Sequence, residues 1–544
     1  MTNLKRFRIR QAPSPTGYLH LGLLRQFLFS KLFSLVNQGT YYLRLEDTDR
    51  KRLLPDSALG LVKNLQTFGL EPDEGINNQN KGSEVDFYNI YQYGDLGPYI
   101  QSERLNIYHE HAQILLDRQL AYWSYLDPET RQELQDIKKA TKTSINYFKI
   151  NQEKFAESDL FQPVQNALQD PRKPVLTYRL QRQENIICHD LLVGETQFDL
   201  SLEEDFGILK SDGYPTYHLA HLIDDKLMQT SLVLRAQEWY PSIAKHTTMF
   251  QDYWGELPFE YLHMPFILGE VGNKKMSKRD GNVNIQNYLD RGYLPEAIIN
   301  YLAFLGWNPG TEKELYLERQ DFITNQDSIE RVQLLIKNLS LDFSIDKLSK
   351  SPARFNQEKL NWFNRQYINM LSLEEYASRS LQHKSLGAPE LSAKKYLAWN
   401  LDKNRVTTLA ELGAESDCIL DYRLPDKDLL KWKKISLEES LTNLQEIKDV
   451  VVRLSNDTSE VRRKLHESFL EPELNTRFLN VAKQIEESLK SWLKDNQKDT
   501  GSYLWSLRVA LSGKSKSPSP FEILAIIDTS EATDRIDRCL HFLV

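Results

Sequence analysis

The pattern of apolar and polar positions is most regular near the amino terminus. Residues 6–17 read RFRIRQAPSPTG, in which basic and apolar residues alternate until two prolines and a glycine interrupt them. From Leu21 to about Gly39, leucines recur at intervals of three and four residues, and residues 41–49, YYLRLEDTD, alternate again. A period of two predicts a strand, whereas the longer spacing predicts a helix. The sequence therefore predicts a strand, a helix and a second strand, which together form a βαβ unit.

The middle of the chain interrupts this pattern. Residues 71–87 are polar, and residues 128–170 are mixed and charged with weak periodicity, which is typical of loops and insertions. Apolar, strand-like runs return near Ile186 and Leu232. We therefore expect an α/β fold whose two halves are separated by an insertion.

The pattern becomes helical after about residue 350. Ser436 and Glu439 have the spacing of a capping box, and an apolar stripe at 437–454 follows them. A second apolar stripe with helical spacing occupies 478–492. The sequence therefore predicts an all-helical module for the last third of the chain.

The composition is that of a globular protein with several domains. Of the 544 residues, 40% are hydrophobic, and no apolar run approaches the roughly 18 residues that a membrane span needs. The first residues lack the apolar stretch of a signal peptide. Cys188, Cys418 and Cys539 are odd in number and lack CxxC spacing, which argues against a disulfide framework or a cysteine zinc site. We expect a cytoplasmic protein with no membrane association.

Positive charge is concentrated locally in an acidic chain. The formal net charge of -8 gives no global attraction to polyanions. Residues 274–281, KKMSKRDG, nevertheless carry four basic residues beside a glycine, and residues 431–434 read KWKK. Such runs, taken alone, are usually solvated faces.

His20 and Gly22 stand where the first predicted helix begins. Unpaired N–H groups and the helix dipole make a helix N-terminus a binding site for phosphate. A histidine at this position is, taken alone, more often a structural cap than a ligand-binding residue. Both roles remain open at this point.

Two motifs give these features a common context. PSPTGYLHLG at 13–22, followed much later by KMSKR at 275–279, resembles the double signature of class I aminoacyl-tRNA synthetases. LRLEDTDR, GPYIQSER, SDGYPTYHLAHLIDD, VLRAQEW and YLAFLGWNP, in this order, are similar to blocks of the glutamyl-tRNA synthetase family. FNQEKLNWFNRQYI and SLRVALSG are similar to the anticodon-binding region of its bacterial and organellar form. PSPTG stands where the related glutamine enzymes have PEPNG, which favours glutamate.

The resemblance implies a fold class and a domain order. The implied fold is α/β, with a split Rossmann-like nucleotide-binding domain, an inserted acceptor-stem domain and an all-helical anticodon-binding region. The implied ranges are 1–97 and 217–285 for the two halves of the catalytic domain, 98–216 for the inserted tRNA acceptor-binding domain, 286–350 for a stem-contact domain and 351–544 for the helical region.

The resemblance also implies an activity and its residues. In the implied reaction, glutamate and ATP form glutamyl-adenylate, and the glutamyl group then passes to the terminal adenosine of tRNA(Glu). The implied glutamate-binding residues are Arg10, Ser14, Glu46, Tyr217 and Arg235. The implied ATP-binding residues are Pro13, Thr16, Gly17, His20, Gly22, Lys275, Met276, Ser277 and Lys278, of which His20, Gly22, Lys275 and Lys278 act in catalysis. Two carboxylates on one substrate call for fixed arginines, which agrees with this assignment.

The expected partners are tRNA(Glu), L-glutamate and ATP with Mg²⁺, and the expected oligomeric state is a monomer. No metal site is expected in the protein itself. Some family members bind zinc through a Cys-x-Cys pair after an AY dipeptide, but AYWSYL at 121–126 contains no cysteine. On a helix, His109 and His111 would point about 200° apart, so they are not expected to share a metal.

Three alternatives remain. The enzyme could also charge tRNA(Gln), or the chain could be an inactive tRNA-binding paralogue that keeps the fold. A shortened relative that glutamylates a tRNA base is a third reading, but such proteins lack the long region after residue 350. Two departures from the family pattern are Leu23, which follows Gly22, and extra residues between 76 and 96.

Overall fold

The computed structural model describes residues 6–54, 56–77, 88, 90–141, 145–181, 184–276, 284–384, 392–457, 463 and 474–542. The chain divides into two structural units. The first contains the residues up to Tyr288, Pro295–Asp321 and Asn325–Gln357. The second contains Leu289–Leu294, Phe322–Thr324 and the residues from Glu358 onward.

The strands belong to the first unit. They are β1 Arg8–Gln11, β2 Thr40–Leu43, β3 Glu74–Asn77, β4 Tyr91–Tyr93, β5 Ala121–Ser124, β6 Val175–Tyr178, β7 Asn185–Asp190, β8 Gly194–Asp199, β9 Phe206–Leu209, β10 Leu232–Ala236, β11 Glu260–Met264, β12 Ile267–Leu268 and β13 Ala353–Arg354.

The α-helices follow one another along both units. Up to residue 342 they are α1 Leu21–Val36, α2 Ser57–Thr67, α3 Leu105–Asp117, α4 Pro128–Thr141, α5 Tyr147–Lys154, α6 Glu157–Leu160, α7 Val164–Gln169, α8 Tyr217–Leu227, α9 Ile243–Trp254, α10 Ile285–Asp290, α11 Pro295–Ala303, α12 Arg319–Thr324 and α13 Ser328–Asp342. The later ones are α14 Gln357–Met370, α15 Leu373–His383, α16 Ala393–Lys403, α17 Asp417–Leu420, α18 Leu437–Asp457, α19 Leu474–Asp495, α20 Thr500–Ser512, α21 Pro520–Ile526 and α22 Thr529–Phe542. Short 3-10 helices cover Gln101–Arg104, Leu200–Leu202, Gln237–Ser242, Ile345–Lys347, Leu409–Glu411 and Lys427–Leu430.

The predicted βαβ unit is present at the amino terminus. Strands β1 and β2 run parallel, with Ile9 opposite Tyr41, and α1 connects them. The helix ends at Val36, slightly before the predicted stop at Gly39, because Gln38 takes a positive φ of 48° and turns the chain away. The alternation of period two thus correctly predicted both strands, and the leucine spacing correctly predicted the helix.

The large sheet has the strand order β4-β3-β2-β1-β10-β11-β7-β8. Its inner strands pair in parallel, and β4 and β8 form antiparallel edges. From β1 the order runs to β2 and β3 on one side and to β10 and β11 on the other. In a doubly wound sheet, a crevice for ligands opens at such a reversal, at the carboxyl ends of the strands. This confirms the predicted Rossmann-like fold class.

The insertion contributes to two sheets. Strands β5, β6 and β9 form a separate antiparallel sheet, whereas the β7–β8 hairpin extends the large sheet through the pairing of Asp190 with Tyr261. Both pieces come from the range 98–216 assigned to one inserted domain. The exact domain ranges stay a prediction.

Helix α1 supplies much of the core of the first unit. The ring centres of Phe29 and Phe33 lie 5.8 and 5.0 Å from that of Phe343, which follows α13.

The arginines that alternate with apolar residues in β1 are also buried, because each has a carboxylate partner. Arg8 pairs with Glu74 at 2.8 Å. Both faces of this strand are therefore covered, although its sequence alternates.

The second unit is helical, as predicted. The apolar stripes of α18 and α19 are buried, for example Val451 at 1% and Leu489 at 0% exposure. The Ser436 hydroxyl accepts a hydrogen bond from the Glu439 backbone N–H at 3.1 Å, which caps α18 at the predicted position. No helix in the described part of either unit is long and apolar enough to span a membrane.

Gly75 provides a test of the sheet packing. It has φ +116°, and a Cβ there would lie 2.1 Å from the Leu43 carbonyl oxygen of β2. We expect Gly75→Ala to destabilise the protein by more than about 3 kcal/mol, since strain and a backbone clash add. Gly60→Ala is the control, because nothing lies within 4 Å of its Cβ position in α2, and alanine should stabilise that helix by about 0.5–1 kcal/mol. Urea unfolding of both variants measures the difference, and equal stabilities would contradict the expectation.

Candidate active site

A cleft of about 230 Å³ opens at the carboxyl ends of β1 and β10, where the strand order reverses. It brings together residues that are far apart in the chain. The predicted site residues that line it are Arg10, Ser14, His20, Gly22, Glu46, Tyr217, Arg235 and Lys275. The sheet topology therefore collects most of the residues that the sequence motifs singled out.

Some predicted residues do not line the cleft. These are Pro13, Thr16, Gly17 and Met276. The Pro13 carbonyl accepts a hydrogen bond from the Glu46 backbone N–H at 3.0 Å, so the loop that contains it holds a residue of the cleft wall. Ser277 and Lys278 lie outside the described residues.

The positive charge of Arg10 is balanced by a buried carboxylate. Its Nε and one terminal nitrogen each lie 3.2 Å from an oxygen of Asp225, and its other terminal nitrogen donates to the Leu234 carbonyl at 3.3 Å. Burial acts to lower the pKa of Arg10, but Asp225 outweighs it and the pKa is raised. Burial likewise acts to raise the pKa of Asp225, but Arg10 and Arg44 hold it well below its usual range. Both groups are charged at neutral pH.

Glu46 presents a carboxylate to the cleft. Its side chain is 11% exposed, and Arg44 donates to it at 3.1 Å. Burial raises the pKa of Glu46, although Arg44 and Arg10 oppose the rise. Pairing with Arg44 is the ordinary structural role of such a residue, and here it coexists with a place on the cleft wall. A bound ammonium group would further favour the ionised carboxylate.

Arg235 differs from Arg10 in its partners. Its Nε donates to His263 Nε2 at 2.8 Å, and one terminal nitrogen donates to the Tyr217 hydroxyl at 3.0 Å and to His246 Nδ1 at 3.2 Å. Among the described residues, no carboxylate forms an ion pair with Arg235. Its positive charge is therefore held in place by neutral groups and left for an anion in the cleft.

The histidines around Arg235 must be neutral to accept these bonds. Burial lowers the pKa of His263 to about 4, and the nearby Arg235 adds to the effect. His263 Nδ1 lies 2.7 Å from Asp190, so Nδ1 carries the proton and Nε2 is the acceptor. Burial and Arg235 also lower the pKa of His246 well below its usual range.

His20 and Lys275 also line the cleft. His20 is the N-cap of α1, and its Nδ1 accepts a hydrogen bond from the Leu23 backbone N–H at 3.0 Å. The common structural role of such a histidine is thus observed, together with a place in the cleft. Lys275 forms an ion pair with Glu238, and its ammonium lies 4.7 Å from the centre of the Phe266 ring.

Comparison with known proteins decides the family. The model of the catalytic domain of tRNA synthetases class I (E and Q) matches residues 6–362, and that of an anticodon binding domain matches residues 473–540. The chain is 30% identical over 559 residues to a glutamate–tRNA ligase of Flavobacterium johnsoniae, over 99% of this chain and 100% of that protein. The chain belongs to the glutamate–tRNA ligase family.

Two further relatives extend this similarity. A glutamate–tRNA ligase of Clostridium kluyveri is 32% identical over 554 residues, covering 98% of this chain and 97% of that protein. The crystal structure of a glutamate tRNA ligase from Elizabethkingia meningosepticum, in complex with its amino acid, aligns with a TM-score of 0.75 at 27% identity. That alignment covers 99% of this chain and 100% of the other.

Several residues of the cleft were not predicted from the sequence. Glu238 and Trp239 lie in the short 3-10 helix that follows β10, and the Trp239 ring lies 4.2 Å from that of Tyr217. Their position after an inner parallel strand was a usable signal. Arg25, which is 3% exposed and donates to the Leu305 carbonyl at 3.0 Å, also lines the cleft. No sequence pattern pointed to it, because it lies within the leucine-rich α1.

The potential metal ligands of the described residues do not cluster into a metal site. Across the described ranges, no group of three or more His, Cys, Asp or Glu side chains is placed to hold a metal ion. His109 bonds the Gly213 carbonyl at 2.8 Å, whereas His111 bonds the Tyr253 hydroxyl.

One of the extra residues between 76 and 96 contacts the neighbour of a cleft residue. The Tyr88 hydroxyl donates to Asp47 at 2.9 Å, and Asp47 is next to Glu46 in the chain.

His263 makes stability depend on pH in a predictable direction. In the folded protein, burial lowers the pKa of His263 to about 4, from the ordinary histidine value of 6.5. The contribution of His263 to the unfolding free energy is therefore fully present above pH 6.5 and is lost as the pH falls toward 4. The loss between pH 7 and 4.5 is about 2 kcal/mol. We expect His263→Asn to remove this part of the pH dependence of the unfolding free energy.

The control for this prediction is His189→Asn, which changes a histidine whose side chain is 54% exposed. Its unfolding free energy should keep the pH dependence of the wild type. An unchanged difference between pH 7 and 4.5 in His263→Asn would show that His263 is not held neutral in the folded protein.

Proposed function

We propose that this protein joins L-glutamate to tRNA(Glu) in an ATP-dependent, two-step reaction at the cleft. The observation that carries the proposal is the pair of unlike charges on its walls. Arg235 has no carboxylate partner among the described residues, whereas Glu46 presents a carboxylate to the same space. A dicarboxylic amino acid has the complementary charges, with an ammonium group for Glu46 and a carboxylate for Arg235.

Arg10, Ser14 and Tyr217 complete the proposed glutamate site. Three N–H groups of Arg10 are engaged by Asp225 and Leu234, and a guanidinium has five N–H donors. Two donors therefore remain for a carboxylate oxygen. The Tyr217 hydroxyl accepts from Arg235, so its own hydrogen can be donated to the substrate. Ser14 assists Glu46 with the α-ammonium group.

In the first proposed step, an α-carboxylate oxygen of glutamate attacks the α-phosphorus of ATP. A bond forms between this oxygen and the α-phosphorus, and the bond from the α-phosphorus to the pyrophosphate oxygen breaks. The products are glutamyl-adenylate and pyrophosphate. The role of the protein is alignment and charge stabilisation. His20, Gly22 and the start of α1 serve the phosphates, together with Lys275 and Lys278. Pro13, Thr16, Gly17, Met276 and Ser277 are proposed to complete the ATP site, and Mg²⁺ enters with the triphosphate.

In the second proposed step, the 2'-hydroxyl of the terminal adenosine of tRNA(Glu) attacks the acyl carbon. An ester forms, and the bond between the acyl carbon and the phosphate oxygen of AMP breaks. The proton of the hydroxyl group passes to the phosphate of the departing AMP or to solvent. The range 98–216 is proposed to bind the acceptor end, 286–350 the stem and 351–544 the anticodon. A monomer in the cytoplasm, without bound zinc, remains the prediction.

The activity itself is tested with the full chain. Labelled glutamate, ATP, magnesium and purified tRNA(Glu) should yield acid-precipitable glutamyl-tRNA, whereas omission of ATP should abolish the product. Aspartate and glutamine replace glutamate in parallel reactions and should not be transferred. No charging of the cognate tRNA would contradict the proposed function.

Replacement of Arg235 tests the glutamate site. Lysine keeps the charge but lacks the planar fork that bonds His263, His246 and Tyr217 at once. We expect Arg235→Lys to raise the KM for glutamate in pyrophosphate exchange about 10- to 100-fold, with little change in the KM for ATP. The control is Arg52→Lys, at an arginine whose side chain is 75% exposed. An unchanged KM for glutamate would remove Arg235 from the site.

A further inference from the structure

A tight turn precedes Lys275. Leu268 and Lys275 face each other in an antiparallel bridge, and the Gly269 N–H donates to the Lys274 carbonyl at 3.1 Å. Gly272, at the tip, has φ +76°, and no atom lies within 4 Å of its Cβ position. The neighbouring Val271 is 90% exposed. The turn, which comprises residues 269–274, therefore has few packing contacts of its own.

Arg354 bonds this turn with its guanidinium group. One terminal nitrogen donates to the carbonyls of Gly269 at 3.0 Å, Glu270 at 3.4 Å and Gly272, and the other donates to Asn273 Oδ1 at 2.8 Å. Because a terminal nitrogen has two hydrogens, at least one of the three carbonyl bonds is shared. A single side chain thus holds most residues of the turn.

The backbone around Arg354 holds the base of the same turn. Strands β12 and β13 pair in parallel, with Leu268 opposite Arg354, and the Phe355 N–H donates to the Leu268 carbonyl at 3.0 Å. On the other side, the Met276 N–H donates to the Ile267 carbonyl at 2.9 Å. The position of Lys275 is therefore set by β12 and by the bonds from Arg354.

We propose that Arg354 is a positioning residue for Lys275 in adenylate formation. The inference rests on the proposed role of Lys275 at the phosphates of ATP. A flexible lysine stabilises charge in the transition state only if its backbone is held within a narrow range of positions. Arg354 supplies this constraint to an exposed turn with few packing contacts. It does not itself line the cleft.

The side chain of Arg354 is well suited to this task. Its planar fork presents several donors in fixed directions, so it can bond a curved row of backbone carbonyls, whereas a lysine offers one ammonium group. Arg354 is exposed, and surface contacts of this kind contribute little to overall stability. Its loss should therefore change the turn and leave the folding of the first unit nearly unaltered.

The kinetic test uses Arg354→Met in the full-length protein. We expect kcat for ATP–pyrophosphate exchange to fall about 5- to 30-fold, while the KM for glutamate and the melting temperature stay close to the wild type. Arg354→Lys should restore part of the rate. Lys350→Met, which removes an exposed cation from the same segment, is the control and should retain full activity.

A double-variant cycle shows whether Arg354 acts through Lys275. Lys275→Ala alone should lower the exchange rate strongly. If Arg354 works by positioning Lys275, adding Arg354→Met to that variant should have little further effect, because interacting sites are not additive. Fully multiplicative losses would overturn the proposal.

Amide hydrogen exchange tests the anchor without reference to activity. The N–H groups of Gly269 and Met276 are bonded at the base of the turn, so Arg354→Met should speed exchange in a peptide covering 267–276, and Lys350→Met should not. Unchanged exchange would overturn the anchor. Faster exchange with an unchanged kcat would overturn its role in positioning Lys275. If the wild type does not charge tRNA(Glu), the proposed function fails, whereas the hydrogen-exchange result still reports on the anchor.

Discussion

The structure of the cleft depends on one buried carboxylate, Asp225. It lies on α8 and binds Arg10 of β1 and Arg44, which follows β2, and it also bonds His221. These partners are 215 and 181 residues away in the sequence for the two arginines. A charge buried at 0% exposure is tolerated only with such partners, and removing one of them leaves the other uncompensated. The interaction therefore ties the two halves of the sheet together at the point where its strand order reverses.

This pairing also makes the two arginines of the cleft electrostatically different. Asp225 offsets the charge of Arg10, whereas Arg235 is held by His263 and His246, which burial keeps neutral. A second acidic partner at Arg235 would have fixed it equally well, but it would have cancelled the charge. Neutral imidazoles hold the guanidinium in one orientation and leave its electrostatic field directed at the cleft. Arg10 is therefore held by a charged partner and Arg235 by neutral ones, which leaves the charge of Arg235 uncompensated among the described residues of the cleft.

The residues that line the cleft are held in two different ways. Arg10 and Arg235 stand on inner strands of the sheet, where neighbours on both faces restrict each side chain. Lys275 follows an exposed turn, and its ion pair with Glu238 is accessible to solvent. Exposed pairs of this kind are weak, so an anionic ligand can displace Glu238. Precise placement of that lysine depends on the hydrogen bonds that hold the turn.

Local patterns in the chain were enough to predict the nearby elements, and the family resemblance supplied the residue types of the site. Period-two and helical spacing identified β1, α1 and β2, and Ser436 was placed correctly as a cap, because these features depend on neighbours within a few residues. The resemblance to the glutamyl-tRNA synthetase family also brought Arg10, Glu46, Arg235 and Lys275 into one hypothesis. The folded structure was needed to show that Asp225 pairs with Arg10. It also showed that His263 and His246 hold Arg235. The bonds from Arg354 to the turn before Lys275 were likewise visible only in the fold. These interactions join residues on separate strands, and their strength depends on burial and distance, which local sequence patterns do not contain.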